Sequence, residues 1–284
     1  MGIQSRIEAA APGLAPAMRR IAEALRQNPS IVLEQTISEL AASCGTSVAS
    51  VVRFCRALGL SGYAELRMAL ATEIGKESAR FGSTLTLGAE IAQSDSLKEM
   101  AAKVASLEML AIEETVAALD FRALGRIVAA LDRAQRILLF GIGASQFVAQ
   151  DLHHKLFRIG RNAFLMSDTH EAWTAALLSP PETVALAFSH SGATADTVRY
   201  LEIAKENGAR TVAITGTPES ALARMAHESI ITHARESTLR AGAMVSRIAQ
   251  LAVVDCLFLG LARTRYDQTV VALQRTRDVT HPGR

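Results

Sequence analysis

Two stretches constrain the fold of this chain more than any others. Arg136-Ile-Leu-Leu-Phe-Gly-Ile-Gly-Ala-Ser145 and Ala187-Phe-Ser-His-Ser-Gly-Ala-Thr194 each carry an apolar run that stops abruptly in glycine and hydroxyl residues and then passes into helix-like sequence. An apolar run without polar alternation suits a strand buried on both faces, and a strand that leaves through a short loop into a helix belongs in a parallel sheet. The alternation continues from there. Strands are expected at 137–140, 163–166, 183–188, 211–214 and 229–232. Helical sequence lies between them, to about Ile159 and over 169–178, 193–206 and 219–226, and a long helix over 238–261 closes the series. Five strands alternating with helices predict a doubly wound α/β domain with a five-stranded parallel sheet.

The first eighty residues show a different period. Pro16 to Asn28 has apolar residues at helical spacing (Met18, Ile21, Ala22, Leu25), and Ile31–Glu34 continues as a short helix. Thr36-Ile-Ser-Glu39 has the capping-box spacing and opens a helix to about Ser43; Cys44-Gly45-Thr46 breaks it, and Ser47 caps a helix over 48–58. Helix, glycine-bearing turn, helix is a helix-turn-helix pattern in an all-α bundle. In the second helix Val48, Val51, Val52, Cys55 and Leu58 form the expected inward stripe, leaving Ser47, Ala49, Ser50, Arg53 and Arg56 outside. Small groups at the helix start with arginines one and two turns later suit a major groove: the small groups approach base edges and arginine reaches guanine or phosphate.

Ile37-Ser-Glu-Leu-Ala, followed by Thr46-Ser-Val-Ala-Ser-Val-Val-Arg-Phe-Cys-Arg-Ala-Leu-Gly-Leu-Ser-Gly-Tyr63, resembles the N-terminal domain of RpiR/MurR-type bacterial transcriptional regulators. The resemblance implies binding to double-stranded operator DNA. Net charge is only +2, so a basic readout surface has to be local. Tyr63 begins a further helix, on which Arg67 is expected to be solvated. A Gly, Ser and Thr-rich stretch, 79–95, reads as a linker between a DNA-binding domain (1–78) and an effector domain (96–284). The effector domain begins with an αα-hairpin over 97–119 and 121–131, whose apolar positions Met100, Val104, Leu107, Leu110 and Ala111 need a cover.

In a doubly wound sheet, ligands sit at the carboxyl ends of strands near a topological switch point, where both polar loops fall. Gly141 and Gly143 let the backbone approach a ligand, Ser145, Ser189, Ser191 and Thr194 offer hydroxyl donors, and Gly192 lets N–H groups converge on one oxygen. Neither loop contains lysine or arginine, so an anion there is held by hydroxyls and helix dipoles. A dinucleotide fingerprint fails because Gln146 stands where its third glycine belongs, and a serine-hydrolase elbow fails because Ser189, not glycine, lies two before Ser191. The seven histidines do not group as metal ligands, and His153 and His154 are expected to face apart on a helix. No cofactor and no metal are expected.

Gly-x-Gly-x-Ser145 and Ser189-x-Ser191-Gly-x-Thr194 resemble the two phosphate loops of the SIS (sugar isomerase) domain, and Arg247-Ile-Ala-Gln-Leu-Ala-Val-Val-Asp255 looks like its closing helix in RpiR-type regulators. The resemblance implies that Ser145, Ser189, Ser191 and Thr194 bind the phosphate of a phosphosugar, and Gly143 and Gly192 are expected in the same effector site. His190 stands where sugar-processing relatives often carry glutamine, a departure that leaves the sugar end of the pocket open and offers a further donor there, charged when protonated; Glu236 is the candidate carboxylate for sugar hydroxyls. Used catalytically, the same site would serve a phosphosugar isomerase or lyase, with Glu236 as base and His170 or His233 assisting. The fused DNA-reading domain favours sensing, by a homodimer or homotetramer whose paired heads meet a palindromic operator. The chain has no run of about 18 apolar residues and its first residues lack an apolar signal core, so a cytoplasmic place and no membrane partner are expected. Three cysteines without a CxxC pattern read as buried thiols.

Overall fold

A computed structural model describes residues 2–81, 95–236 and 241–280, with side chains except at 77–81, 241 and 280. The linker expected over 79–95 and the helix start expected at Thr238 thus fall largely outside the described residues. The chain divides into two compact units, Met1–Glu114 with Ala234–Val245, and Thr115–His233 with Ser246–Arg284.

The first unit is helical: α1 (Ile3–Ala10), α2 (Pro16–Gln27), α3 (Ile31–Glu34), α4 (Ile37–Ser43), α5 (Val48–Ala57) and α6 (Tyr63–Phe81). Ile7, Ile21, Leu25, Leu40, Val51, Phe54, Leu66 and Leu70 close its core. Thr36 starts α4 with a reciprocal capping box, its N–H donating to Glu39 Oε2 at 2.7 Å and its hydroxyl accepting from Glu39 N at 3.3 Å. Arg235 also belongs to this unit, donating to Glu73 at 2.6 Å and to Glu114 and Ser5. Next comes α7 (Leu97–Ala117), again opened by a capping box, between Ser96 and Glu99.

The second unit carries α8 (Phe121–Arg133), β1 (Arg136–Gly141), α9 (Ala144–Arg158), β2 (Ala163–Leu165), α10 (Thr169–Leu177) and β3 (Thr183–Phe188). It continues through α11 (Ala195–Glu206), β4 (Arg210–Thr215), α12 (Ala221–Met225), β5 (Glu228–Ile231), α13 (Met244–Thr264) and α14 (Tyr266–Thr280). All strand pairs are parallel, in the order β2-β1-β3-β4-β5. Alternate side chains go to opposite helical layers, which is why the strand sequences show no polar face. Ile137, Leu139, Val184, Leu186 and Phe188 meet Val148 and Leu152 of α9 and Val253 and Leu257 of α13. Leu138, Phe140, Ala185, Ala187 and Ala213 meet Ala172 of α10 and Tyr200 and Leu201 of α11. The alanines on that face let α11 approach closely, and Tyr200 fills the space against Phe140 at a ring distance of 5.2 Å. α13 is long and apolar (mean hydropathy 1.7), and its inward stripe lies in the core.

Candidate functional site

Chain order reverses between β1 and β3. β1 returns through α9 to β2 on one side, while β3 lies on the other and leaves through α11. Because α9 and α11 cover opposite faces, the two strand-to-helix loops diverge at this switch point and leave a crevice between their helix starts. The register sets the strand tips level, with Gly141 opposite Phe188. A Cβ on Gly141 would lie 2.8 Å from the Ser145 carbonyl oxygen and 3.2 Å from Phe188 Cβ, so only glycine lets the first turn of α9 settle here. Gly143 is the N-cap of α9 at φ 61° and has no side chain to bond the free N–H groups of that turn.

The second loop is tied together by its own hydroxyls. Ser189 is buried; its Oγ lies 3.1 Å from Thr194 Oγ1 and accepts from Gly192 N at 3.1 Å. Ser191 is exposed, and its Oγ accepts from Ala193 N at 3.3 Å. Gly192 has φ 61°, and a Cβ there would stand 2.7 Å from Thr215 Oγ1 and closer still to Ser220. Thr194 is the N-cap of α11. A third strand tip supports this loop from below. The His190 carbonyl accepts from Gly216 N at 2.9 Å and from Thr215 Oγ1 at 3.1 Å, and a Cβ on Gly216 would come 2.5 Å from His190 Nδ1. Ser145 is buried and donates to Gln250 Oε1 on α13 at 3.1 Å. The result is a pair of neutral loops, rich in hydroxyls and amides, ahead of two helix N-termini, a chemistry suited to an anion's oxygens.

The helix-turn-helix is α4, the turn at Cys44–Thr46, and α5. Ser47 caps α5 through Ser50 N at 3.2 Å. Arg20 of α2 holds the turn, donating to the carbonyls of Cys44 at 3.0 Å and Gly45 at 2.8 Å. Ser47, Ala49, Arg53 and Arg56 are exposed. Ser50 corrects the expected outer face: it is buried, with its Oγ 3.0 Å from that of Ser47. The inward stripe also shifts. Phe54 is fully buried while Val48 is 41% exposed, because a helix that packs on both α2 and α4 buries a face turned toward positions 50, 51, 54 and 55. Arg67, expected to be solvated, stays exposed but donates to the Leu33 carbonyl at 2.7 Å.

A model of the rpiR family helix-turn-helix domain matches residues 1–77, and the SIS domain matches residues 130–260. An uncharacterised HTH-type transcriptional regulator of Caldanaerobacter subterraneus is 36% identical over 264 residues, which span 93% of this chain and 92% of that protein. The chain belongs to the rpiR family of HTH-type transcriptional regulators. A Bacillus subtilis relative, also an uncharacterised HTH-type regulator, is 31% identical over 93% of this chain and 92% of its own length. Among solved structures, Vibrio vulnificus NanR complexed with ManNAc-6P superposes with a TM-score of 0.62 at 28% identity, over 99% of this chain and 98% of that one. The sugar isomerase domain of an RpiR transcription factor from Sphaerobacter thermophilus shares the fold, with a TM-score of 0.57 at 24% identity over 63% of this chain and 98% of its own.

In this regulator Gly143 and Ser145 follow β1, and Ser189, His190, Ser191, Gly192 and Thr194 follow β3, at the carboxyl ends of two paired strands. Glu236 belongs to the first unit, where its carbonyl accepts from Arg26 at 3.4 Å. Burial pushes the Glu8 carboxyl up against the pull of Arg26, and the charges of Glu23 and Glu236 push the same way. His170 follows an ordinary helix cap, in which Asp168 Oδ1 accepts from His170 N at 2.8 Å and Glu171 N at 3.1 Å. His153 and His154 have ring centres 5.9 Å apart, and among the described residues no group of three or more His, Cys, Asp or Glu could hold a metal ion. Cys44 and Cys55 are buried, and burial pushes the Cys55 thiol up to about 11.

Sequence reasoning missed the third strand tip and Gln250. The first had a signal, since Ile214-Thr215-Gly216-Thr217 ends an apolar run in the same way as the other two loops. Gln250 also had one, as an amide on the apolar stripe that includes Val253, Val254 and Leu257.

Proposed function

We propose that this regulator senses a phosphorylated sugar or sugar acid at the β1/β3 crevice and changes its affinity for operator DNA in response. Ser145, Ser189, Ser191 and Thr194, with the amides of the two helix starts, hold the phosphate, and His190 faces the sugar. Ser47, Ala49, Arg53 and Arg56 face the DNA. The observation that carries the reading is the level pair of hydroxyl-bearing strand tips, with Gly141 opposite Phe188 at the switch point. The likeness to NanR, whose structure holds ManNAc-6P, supports a phosphosugar ligand. The recess offers hydroxyls, amides and one imidazole, a set suited to binding; isomerisation needs a base poised at carbon 2 and an acid for ring opening. We therefore read the protein as a sensor and not an enzyme. It works in the cytoplasm as a homodimer or homotetramer, its paired heads set against a palindromic site. To act, the ligand binds one arrangement of those heads more tightly than the other.

The test is a fluorescence-anisotropy titration of a selected operator duplex with and without N-acetylmannosamine 6-phosphate and a panel of other sugar phosphates. A ligand-dependent shift in affinity is expected. It should vanish in Ser191→Ala, whose hydroxyl is exposed at the loop, while DNA affinity without ligand is unchanged. Sugar phosphates that bind without altering DNA affinity, or that are turned over, would refute the sensing role.

A further inference from the structure

Gln250 is only 1% exposed, and its amide lies against the first turn of α9. One end of that amide is used, with Oε1 accepting from Ser145 Oγ at 3.1 Å. The other end, Nε2, is buried with no hydrogen-bond partner among the described residues. A buried donor without an acceptor is unfavourable, and proteins keep such groups where something else satisfies them. This arrangement also conflicts with the phosphate reading. A serine hydroxyl has one proton, and if it points to Gln250 then Ser145 offers an incoming anion only lone pairs.

Half a turn of the amide removes both difficulties. Nε2 then donates to Ser145 Oγ, the serine proton is released toward the crevice, and a phosphate oxygen can accept it. The unpaired group becomes a carbonyl oxygen, which proteins tolerate more readily than an orphaned N–H. We propose that Gln250 is a positioning residue of the anion site, whose amide orientation decides whether the Ser145 hydroxyl donates inward to α13 or outward to the phosphate. The proposal rests on the phosphosugar reading of the crevice. It makes Ser145 and Gln250, 105 residues apart in sequence, one functional unit.

A double-mutant cycle tests it, with ligand affinity measured by calorimetry for inorganic phosphate and for N-acetylmannosamine 6-phosphate. Gln250→Met keeps the bulk and removes both amide functions. It should weaken both ligands about fivefold, the worth of one ordinary hydrogen bond. Ser145→Ala should weaken them about tenfold, and adding Gln250→Met to it should change nothing further, because the amide acts through the hydroxyl. Losses that multiply in the double variant, or Gln250→Met binding within about twofold of the wild type, would overturn the proposal. If Gln250→Met melts below the titration temperature, Gln250→Glu takes its place. Its carboxylate holds the serine proton at about pH 8 and hands it back once protonated, so the loss relative to wild type should shrink as pH falls. A loss independent of pH counts against the idea. Wild type binding neither phosphate nor the sugar phosphate would instead overturn the reading of the crevice itself, and the role of Gln250 with it.

Discussion

Replacing Gly192 by alanine tests how tightly the second loop is built. Two separate effects act at this position. At φ 61° the residue lies in the left-handed region, where a Cβ costs about 1–2 kcal/mol. The new methyl would also stand 2.7 Å from Thr215 Oγ1 and closer to Ser220, and crowding of that kind costs about 1–3 kcal/mol. Neither neighbour can move freely. Ser220 Oγ caps α12 through Ala223 N at 3.2 Å, and Thr215 Oγ1 donates to the His190 carbonyl at 3.1 Å. Moving either away loses a bond worth about 1 kcal/mol, so relaxation does not remove the penalty. The sum is about 2–5 kcal/mol, which at about 2–4 °C per kcal/mol is a fall in Tm of about 4–20 °C. Gly160 is the matched control: φ is 71° there, but a Cβ would meet nothing within 4 Å. Gly160→Ala carries the backbone term alone, partly offset by a less flexible unfolded chain, and should lose only about 2–6 °C. Differential scanning calorimetry of both variants reads the difference, and the Gly192 variant should also lose its response to sugar phosphates. Equal melting temperatures for the two variants would show that the crowding at Ser220 and Thr215 has been misjudged.

Three further outcomes are expected. Ser189→Ala should lower stability by about 1–3 kcal/mol, since Gly192 N and Thr194 Oγ1 lose a buried partner, whereas Ser191→Ala should leave the Tm unchanged; denaturant titration separates them. Arg20→Ala should weaken operator binding without unfolding the bundle, because the carbonyls of Cys44 and Gly45 lose the cation that holds the turn ahead of α5; anisotropy and circular dichroism, read together, check it. The Glu39 carboxyl is held below its ordinary value of 4.5, first by the Thr36 N–H and then by the Thr36 hydroxyl. A carboxyl depressed in the folded state stabilises fully above its unfolded value and loses that contribution as pH falls through the folded one. The stability difference between the wild type and Glu39→Gln should therefore be full above about pH 4.5 and narrow as pH falls below it, read by denaturant titration of both across that range.

Local physics made much of this protein readable in its sequence. Strand cores, helix starts and loop chemistry depend on residues within one or two turns of each other. The capping box at Thr36, the β3 run Thr183–Phe188 and the hydroxyl clusters after β1 and β3 could therefore be read directly. Periodicity was weaker where a helix faces two partners. α5 packs on both α2 and α4, so its buried face moved to include Ser50 and Phe54, and Val48 was left in solvent. Other features needed the tertiary structure because they depend on contacts between distant parts of the chain. Nothing near Ser145 in sequence announces Gln250, and nothing near Gly192 announces Ser220. Those pairs meet only because parallel pairing sets β1, β3 and β4 side by side and lays α13 across the first turn of α9. Residue types determined which groups could hold an anion; strand order and register decided which of them stand together.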